Sequence, residues 1–452
     1  MKRWIPPVAA VVALSVVTLI WNSVPIPALP SENAPEVSAR VSVACPQLST
    51  TAEDTYLAAV SKGEVRVSPL NGADVPKVGQ QVVLQEQSEP LRVQANRSHS
   101  FGASVWGAHS SGADQGLAAA VCVAPASQFW FPGVRSHKNA VAEVVLVNLD
   151  RQEAVVDLTV YTAKGQEFPQ GSRGIGVQPG ATRTVSLSAM LDNGEPVTIK
   201  VALSSSRVAA FVRQRLFAGK QGTQIAGTEW ISPSPSPEPV VVIPGVPSKI
   251  SGATLVVTNP GERATSAGVE LIGSFGSAAI AGADALDLPA QTTRTLQLPQ
   301  AFTDEIAAIR VTSTQALSVS LLADTTKELA SNDPAVVVST AVLPQNAAFF
   351  VPVAASAQLS LVNVGSKPAE VSILSGKDEK PEKVVVPAGA TAAVEVATKQ
   401  TILLQSNSES LQAAVVASKK VGKIQGLTVL PVVGEDSLRI DYTIGYDPRV
   451  GS

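Results

Sequence analysis

Histidine is almost missing: the 452 residues contain three, His99, His109 and His137. Metal ligands recur two to five residues apart. His99 and His109, the nearest pair, are instead spread through the Ser/Gly-rich stretch from Asn96 to Gly116. All three read as solvated loop histidines, and no metal site is expected. There are only two cysteines, Cys45 and Cys122, and neither has a histidine placed to activate it. Gly102-Ala103-Ser104-Val105-Trp106-Gly107 is not a G-x-S-x-G elbow, and no strand-to-helix turn follows it.

Paired carboxylates, the other chemistry open to an exported β protein, are weak as well. Asp150, Glu153 and Asp157 cluster, but Asp150 and Glu153 fall in a turn, where acidic residues serve the backbone. Gly165, Gly174, Gly176, Gly180 and Gly261 sit in turns with no following helix to cradle a phosphate. A non-enzyme without catalytic residues or cofactor is expected.

Charge is scarce too. Charged residues make up 16% of the chain and the net charge is −3. Lysine and arginine are scattered rather than striped, which excludes nucleic acid as a partner. No long run repeats apolar residues at i, i+3, i+4 and i+7, so an α-helical fold is excluded. The one long uncharged run lies at the N-terminus, from Trp4 to Ser31 behind Lys2-Arg3. As a helix, residues 4–21 would span about 27 Å, close to the ~30 Å hydrocarbon core. Trp4 and Trp21 match the interfacial belt, and Lys2-Arg3 keeps the N-terminus inside. Pro6 and Pro7 fall in the first turn, where their missing N–H groups cost little. Residues 1–22 are therefore read as a membrane anchor. The alternative is a cleaved signal peptide with its apolar core from Val8 to Ile20, although Ile26-Pro27-Ala28 is a poor cleavage site. Either way the bulk of the chain is extracytoplasmic, and the membrane is a partner through residues 4–21.

Apolar residues form 45% of the chain. They fall into short alternating runs such as Val155-Val156-Asp157-Leu158-Thr159-Val160-Tyr161, the pattern of strands with one buried and one wet face. One segment recurs three times. An apolar strand ends in proline (Phe129-Trp130-Phe131-Pro132, Val241-Val242-Ile243-Pro244, Phe349-Phe350-Val351-Pro352), and a strand closed by asparagine follows (Asn148, Asn259, Asn363). A proline-led turn then feeds another strand at Pro179, Pro289 and Pro387. The period, 111 residues from Asn148 to Asn259 and 104 from Asn259 to Asn363, fits one sandwich per repeat rather than a propeller blade or solenoid coil. The asparagines read as strand terminators that bond their own backbone and tolerate positive φ.

The expected fold is all-β: tandem antiparallel immunoglobulin-like β-sandwich repeats behind one N-terminal transmembrane helix. Residues 23–40 form a proline-rich linker and 41–127 a shortened β-unit holding both cysteines. Sandwiches cover 128–232, 240–345 and 347–436. Ser232 to Pro239 alternates Ser and Pro and gives a stiff linker over 233–239. A tail, 437–452, contains a strand-like stretch from Leu438 to Ile444. Cys45 and Cys122 are expected to pair, tying the first strand of the short unit to its last; a loop of that length is worth about 4 kcal/mol. Two free buried thiols are the alternative. Whether each Pro-terminated strand opens its own sandwich or completes the preceding one stays open, as does a linear array against a closed ring.

The second unit is richest in aromatics and cations. Trp130, Arg135, Phe211, Arg213, Arg215, Phe217 and Trp230 form a candidate binding surface for a glycan, an anionic wall polymer or a protein. The alternative is that its aromatics face the core with arginines at the rim.

The apolar strand–Asn–turn pattern and Pro179-Gly180-Ala181-Thr182-Arg183-Thr184, behind an N-terminal anchor, resemble a family of uncharacterised actinobacterial membrane-anchored extracytoplasmic proteins. The resemblance covers nearly the whole chain and implies no activity, cofactor or catalytic residue. The family's usual setting implies cell-envelope biology, beside a membrane glycosyltransferase. The expected function is a non-enzymatic scaffold holding envelope proteins; the alternative is a module that binds wall glycan or anionic polymer.

Overall fold

Val, Ile and Thr dominate the short alternating runs, and their branched side chains suit a pleated, half-buried surface. In the computed structural model these runs form thirty-one strands and no helix among the described residues, which are 40–433 apart from 50–53, 71–76, 97–99, 138, 189, 192, 219–223, 249, 251, 299–304, 325–332, 355 and 377–379. Every strand pairing is antiparallel. The expected anchor over 4–21, the linker, the tail over 437–452 and His99 lie outside the described residues. No helix among the described residues is long and apolar enough to cross a membrane.

The first unit is one six-stranded sheet from Arg40–Cys45 to Gly116–Val121. Its 15-residue strand Thr55–Pro69 bends at a register shift between Val60 and Val65, so one half pairs with Phe101–His109 and the other with Leu91–Asn96. Cys45 and Cys122 are disulfide-bonded, beside a bridge between Ala44 and Val123. The disulfide joins the start of the unit to its end.

The next three units repeat one strand order. In the second, one sheet is built on Gln128–Ser136, Asn193–Ser205 and Ala154–Thr162, the other on Thr182–Ser186, Ala140–Val147, Ala209–Ala218 and Gln224–Ile231. The fourth unit reproduces this with Asn346–Phe350, Thr401–Ser406 and Ala369–Ser375 against Thr391–Glu395, Ser356–Asn363, Leu411–Val421 and Ile424–Pro431. In the third, a single 18-residue strand, Ala307–Asp324, passes through both sheets. Each Pro-terminated strand pairs inside its own unit, which settles the phase of the repeat.

The four units close on one another. Arg92 Nη2 donates to Leu149 O across the first seam at 2.7 Å. Across the next two, Thr293 Oγ1 donates to Tyr161 O at 2.8 Å and Thr391 Oγ1 to Ile272 O at 2.9 Å, equivalent bonds from equivalent positions of the repeat. Thr401 Oγ1 donates to Gln81 Oε1 at 2.7 Å between the fourth unit and the first. One apolar core runs through the first, second and fourth units, and the third unit's core takes in Ala414, Val416, Leu427 and Val429 of the fourth. The described residues from 40 to 433 therefore form one body, a ring rather than a string.

Two expectations fail around the second unit. The face of Ala154–Thr162 read as wet is buried at Thr159 and Tyr161, where Tyr161 stacks on Trp130 at 5.6 Å. Nor does the Ser-Pro segment behave as a spacer: Ser234 is buried, and its N–H donates to Trp130 O at 2.9 Å.

Candidate functional site

The last strand of each unit faces the ring axis: Gly116–Val121, Gln224–Ile231, Ala335–Val338 and Ile424–Pro431 contact one another in turn. Backbones approach there more closely than a side chain allows. A Cβ on Gly116 would come within 2.5 Å of the Asp333 carboxylate, and one on Gly426 within 2.5 Å of Leu117 Cβ. A Cβ on Gly227 would overlap Asp333 Oδ1. Three units thus place glycine where the third places an acid.

Asp333 and Glu229 are both fully buried on this axis. Asp333 Oδ2 accepts from Leu117 N at 2.6 Å, and its own N–H donates to Gln425 O at 3.2 Å, so it ties three units together. Burial pushes its carboxyl well above the usual carboxylate range, although the Leu117 and Leu427 N–H groups act against that shift. Glu229 Oε1 accepts from Trp230 N at 3.0 Å and Thr428 Oγ1 at 3.4 Å, while Oε2 is buried without a hydrogen-bond partner. Burial, then the neighbouring Asp333, push Glu229 well above its ordinary value. No signal marks either acid in the sequence, because only ring closure buries them.

Where the chain leaves the four axial strands, it encloses a cavity of about 480 Å³. Its walls come from all four units, in the segments 121–129, 233–236, 339–342 and 431–433. Among the described residues no ionisable side chain lines it; the wall is alanine, valine, proline, the Phe129 ring, serine and threonine hydroxyls, the Gln128 amide and Cys122.

The candidate surface on the second unit is built differently from a free aromatic face. Phe211, Trp230 and Trp130 are buried, and Phe211 meets Trp230 edge-on at 6.4 Å. Arg213 lies over the Trp230 ring and donates to Glu143 Oε2 at 2.9 Å. Arg215 donates to Asp114 Oδ1 of the first unit at 2.9 Å. Burial alone would raise the Asp114 pKa, but the Ser49 hydroxyl and the Arg215 and Arg213 guanidiniums outweigh it and hold that carboxyl below its ordinary value. Arg135 and Phe217 are half-buried. Phe211, Arg213, Arg215 and Trp230 are brought together as a packing and ion-pair cluster, joined to the first unit through Arg215 and Asp114.

The expected loop histidines are also corrected. His109 ends the strand Phe101–His109 and is buried beside the Thr55 hydroxyl, because the small residues around it let neighbouring strands close over the position. His137 is half-buried, and its Nδ1 accepts from Asn139 N at 3.2 Å. Among the described residues no group of three His, Cys, Asp or Glu could hold a metal ion.

A family model described as a family of unknown function, DUF5719, matches residues 34–397. No curated protein matches the chain. Among solved structures, an anti-sigma factor domain-containing protein from Clostridium clariflavum aligns at 8% identity. The alignment covers 82% of this chain and 97% of that one, but with a TM-score of 0.12 it relates neither fold nor function.

Proposed function

Since the chain belongs to this family of unknown function, whose model brings no activity with it, we propose its role from geometry: a non-enzymatic extracytoplasmic scaffold of the cell envelope. The observation that carries the reading is the axial cavity, which all four units build and which no charged side chain lines among the described residues. Such a wall suits an uncharged, apolar chain segment of an envelope protein and disfavours an anionic polymer, whose charge would lose its solvation there unpaired. The disulfide supports an oxidising compartment outside the cytoplasm. In this reading the sandwiches are immunoglobulin-like, residues 4–21 anchor the chain in an actinobacterial membrane, and the ring presents its cavity to partners.

The test is capture from solubilised membrane by the intact chain and by Val342→Asp, which puts a charge at the exposed rim of the cavity. A protein retained by the first and lost by a normally folded second is the expected result. Equal retention by both would overturn the cavity's role. A second reading, binding of wall glycan or anionic polymer, is favoured by a cationic cleft between the first and fourth units rather than by the ion-paired Arg213 and Arg215.

A further inference from the structure

At the seam between the fourth unit and the first lies a cavity of about 440 Å³, within the range of small-ligand sites. Lys399 and Lys419 line it from the fourth unit, and among the described residues no acidic side chain does. Tyr56 and the amides of Gln81 and Gln85 line it from the first unit. Phe350 completes the wall and packs on Ala58 and Val60.

Two further observations set this cavity apart from an accidental gap. Lys399 has φ of 59°, one of five non-glycine residues in the left-handed region among the described residues. A long side chain there costs the fold stability that glycine or asparagine would not. The conformation is held by Lys399 N donating to Val351 O at 2.8 Å, so strain is retained at the position that brings an ammonium to the cavity. The seam itself is rigid. The backbone at Gly102 lies so near Ala348 that a Cβ would overlap its carbonyl oxygen, and Thr401 Oγ1 fixes Gln81 Oε1 at 2.7 Å.

Two ammonium groups without a carboxylate select an anion. An aromatic ring beside them offers a face to the C–H groups of a sugar, and primary amides both donate to and accept from hydroxyls. We propose that this seam binds an anionic saccharide, a sugar residue carrying a carboxylate or a phosphate. The inference deepens the polymer-binding reading and is independent of the uncharged axial cavity.

Titration calorimetry on the full chain would use glucuronic acid, glucose 6-phosphate, glucose and inorganic phosphate. One or both anionic sugars should bind at least about tenfold more tightly than glucose or phosphate alone, and more weakly as salt is raised. The carboxylate and phosphate arms distinguish the two sources of charge. The double variant Lys399→Gly and Lys419→Met should lose about tenfold or more in affinity with a melting temperature no lower than the parent's; glycine relieves the backbone and methionine keeps the apolar stem. No binding of either anionic sugar, equal binding of glucose, phosphate binding as tightly as the sugars, or unchanged affinity in the double variant would each overturn the proposal. Retention of that variant on purified cell wall would remove this site while leaving wall binding in place.

Discussion

A carboxyl group on a molecular axis, with four strands around it and no cation beside it, holds its proton harder than in water. Glu229 is such a group, raised by burial and by Asp333. Unfolded, a glutamate titrates near ~4.3. As pH rises from there toward the folded value, the unfolded chain releases a proton that the folded chain keeps. Stability is therefore full below about pH 4 and falls with rising pH, by up to about 1.4 kcal/mol per unit for one group. Glu229→Gln removes this loss while keeping an oxygen for Trp230 N and Thr428 Oγ1. Its melting temperature should exceed that of the parent at pH 8 by more than at pH 4. An offset that is the same at both values would show the acid to be inert. Asp114 has the opposite sign: its lowered pKa contributes stability above about pH 4 that is lost as pH falls through the folded value. Asp114→Asn should cost most near neutrality and least near pH 3, read by the same melting series.

Within each sandwich, one asparagine organises the turn between sheets. Asn148, Asn259 and Asn363 are each fully buried. The Nδ2 of Asn259 donates to Arg263 O at 2.7 Å and Leu288 O at 3.1 Å, and Oδ1 accepts from Gly261 N at 3.0 Å. Asn148 and Asn363 make the same three bonds to their own neighbours. Asn259→Ala leaves the buried Leu288 carbonyl and the part-buried Arg263 carbonyl and Gly261 N–H unmet and should destabilise by about 2–4 kcal/mol in denaturant unfolding. A loss below about 1 kcal/mol would mean that water replaces the side chain. The spacing of these residues was legible because their position in the repeat is fixed by the strand before them. Their role was legible only in part. Positive φ, expected of them, occurs at none of the three, and the bond to a distant strand cannot be read from neighbours in sequence. The disulfide was equally legible, since both cysteines close apolar runs at the two ends of one unit. Replacing both by alanine should lower stability by about 4 kcal/mol at most, measured by denaturant unfolding against the oxidised parent.

At the scale of the whole molecule, the period of the repeat was visible but its closure was not. Alternation reports which residues could be buried within one sandwich; it carries no information about a second burial by a neighbour. Hence Tyr161 was read as wet, Phe211 and Trp230 as a candidate exterior, and the segment around Ser234 as a spacer, although Tyr161, Phe211, Trp230 and Ser234 are all buried. What marks closure is small residues where two units meet. Gly102 admits the Ala348 carbonyl between the first and fourth units, and Gly227 admits Asp333 at the axis. A bulky residue at Gly102 should therefore act on the ring before it acts on any sandwich. Gly102→Val is expected to keep the antiparallel circular dichroism spectrum while opening the seam between the first and fourth units. Small-angle scattering would then show a radius of gyration rising from about 21 Å, the value for compact packing of a body this size. Thr55–Pro69 would also exchange its amide hydrogens faster, because its contact with Asn346–Phe350 is lost. An unchanged radius with unchanged exchange would mean that this seam tolerates the side chain, and that closure rests on the axial strands alone.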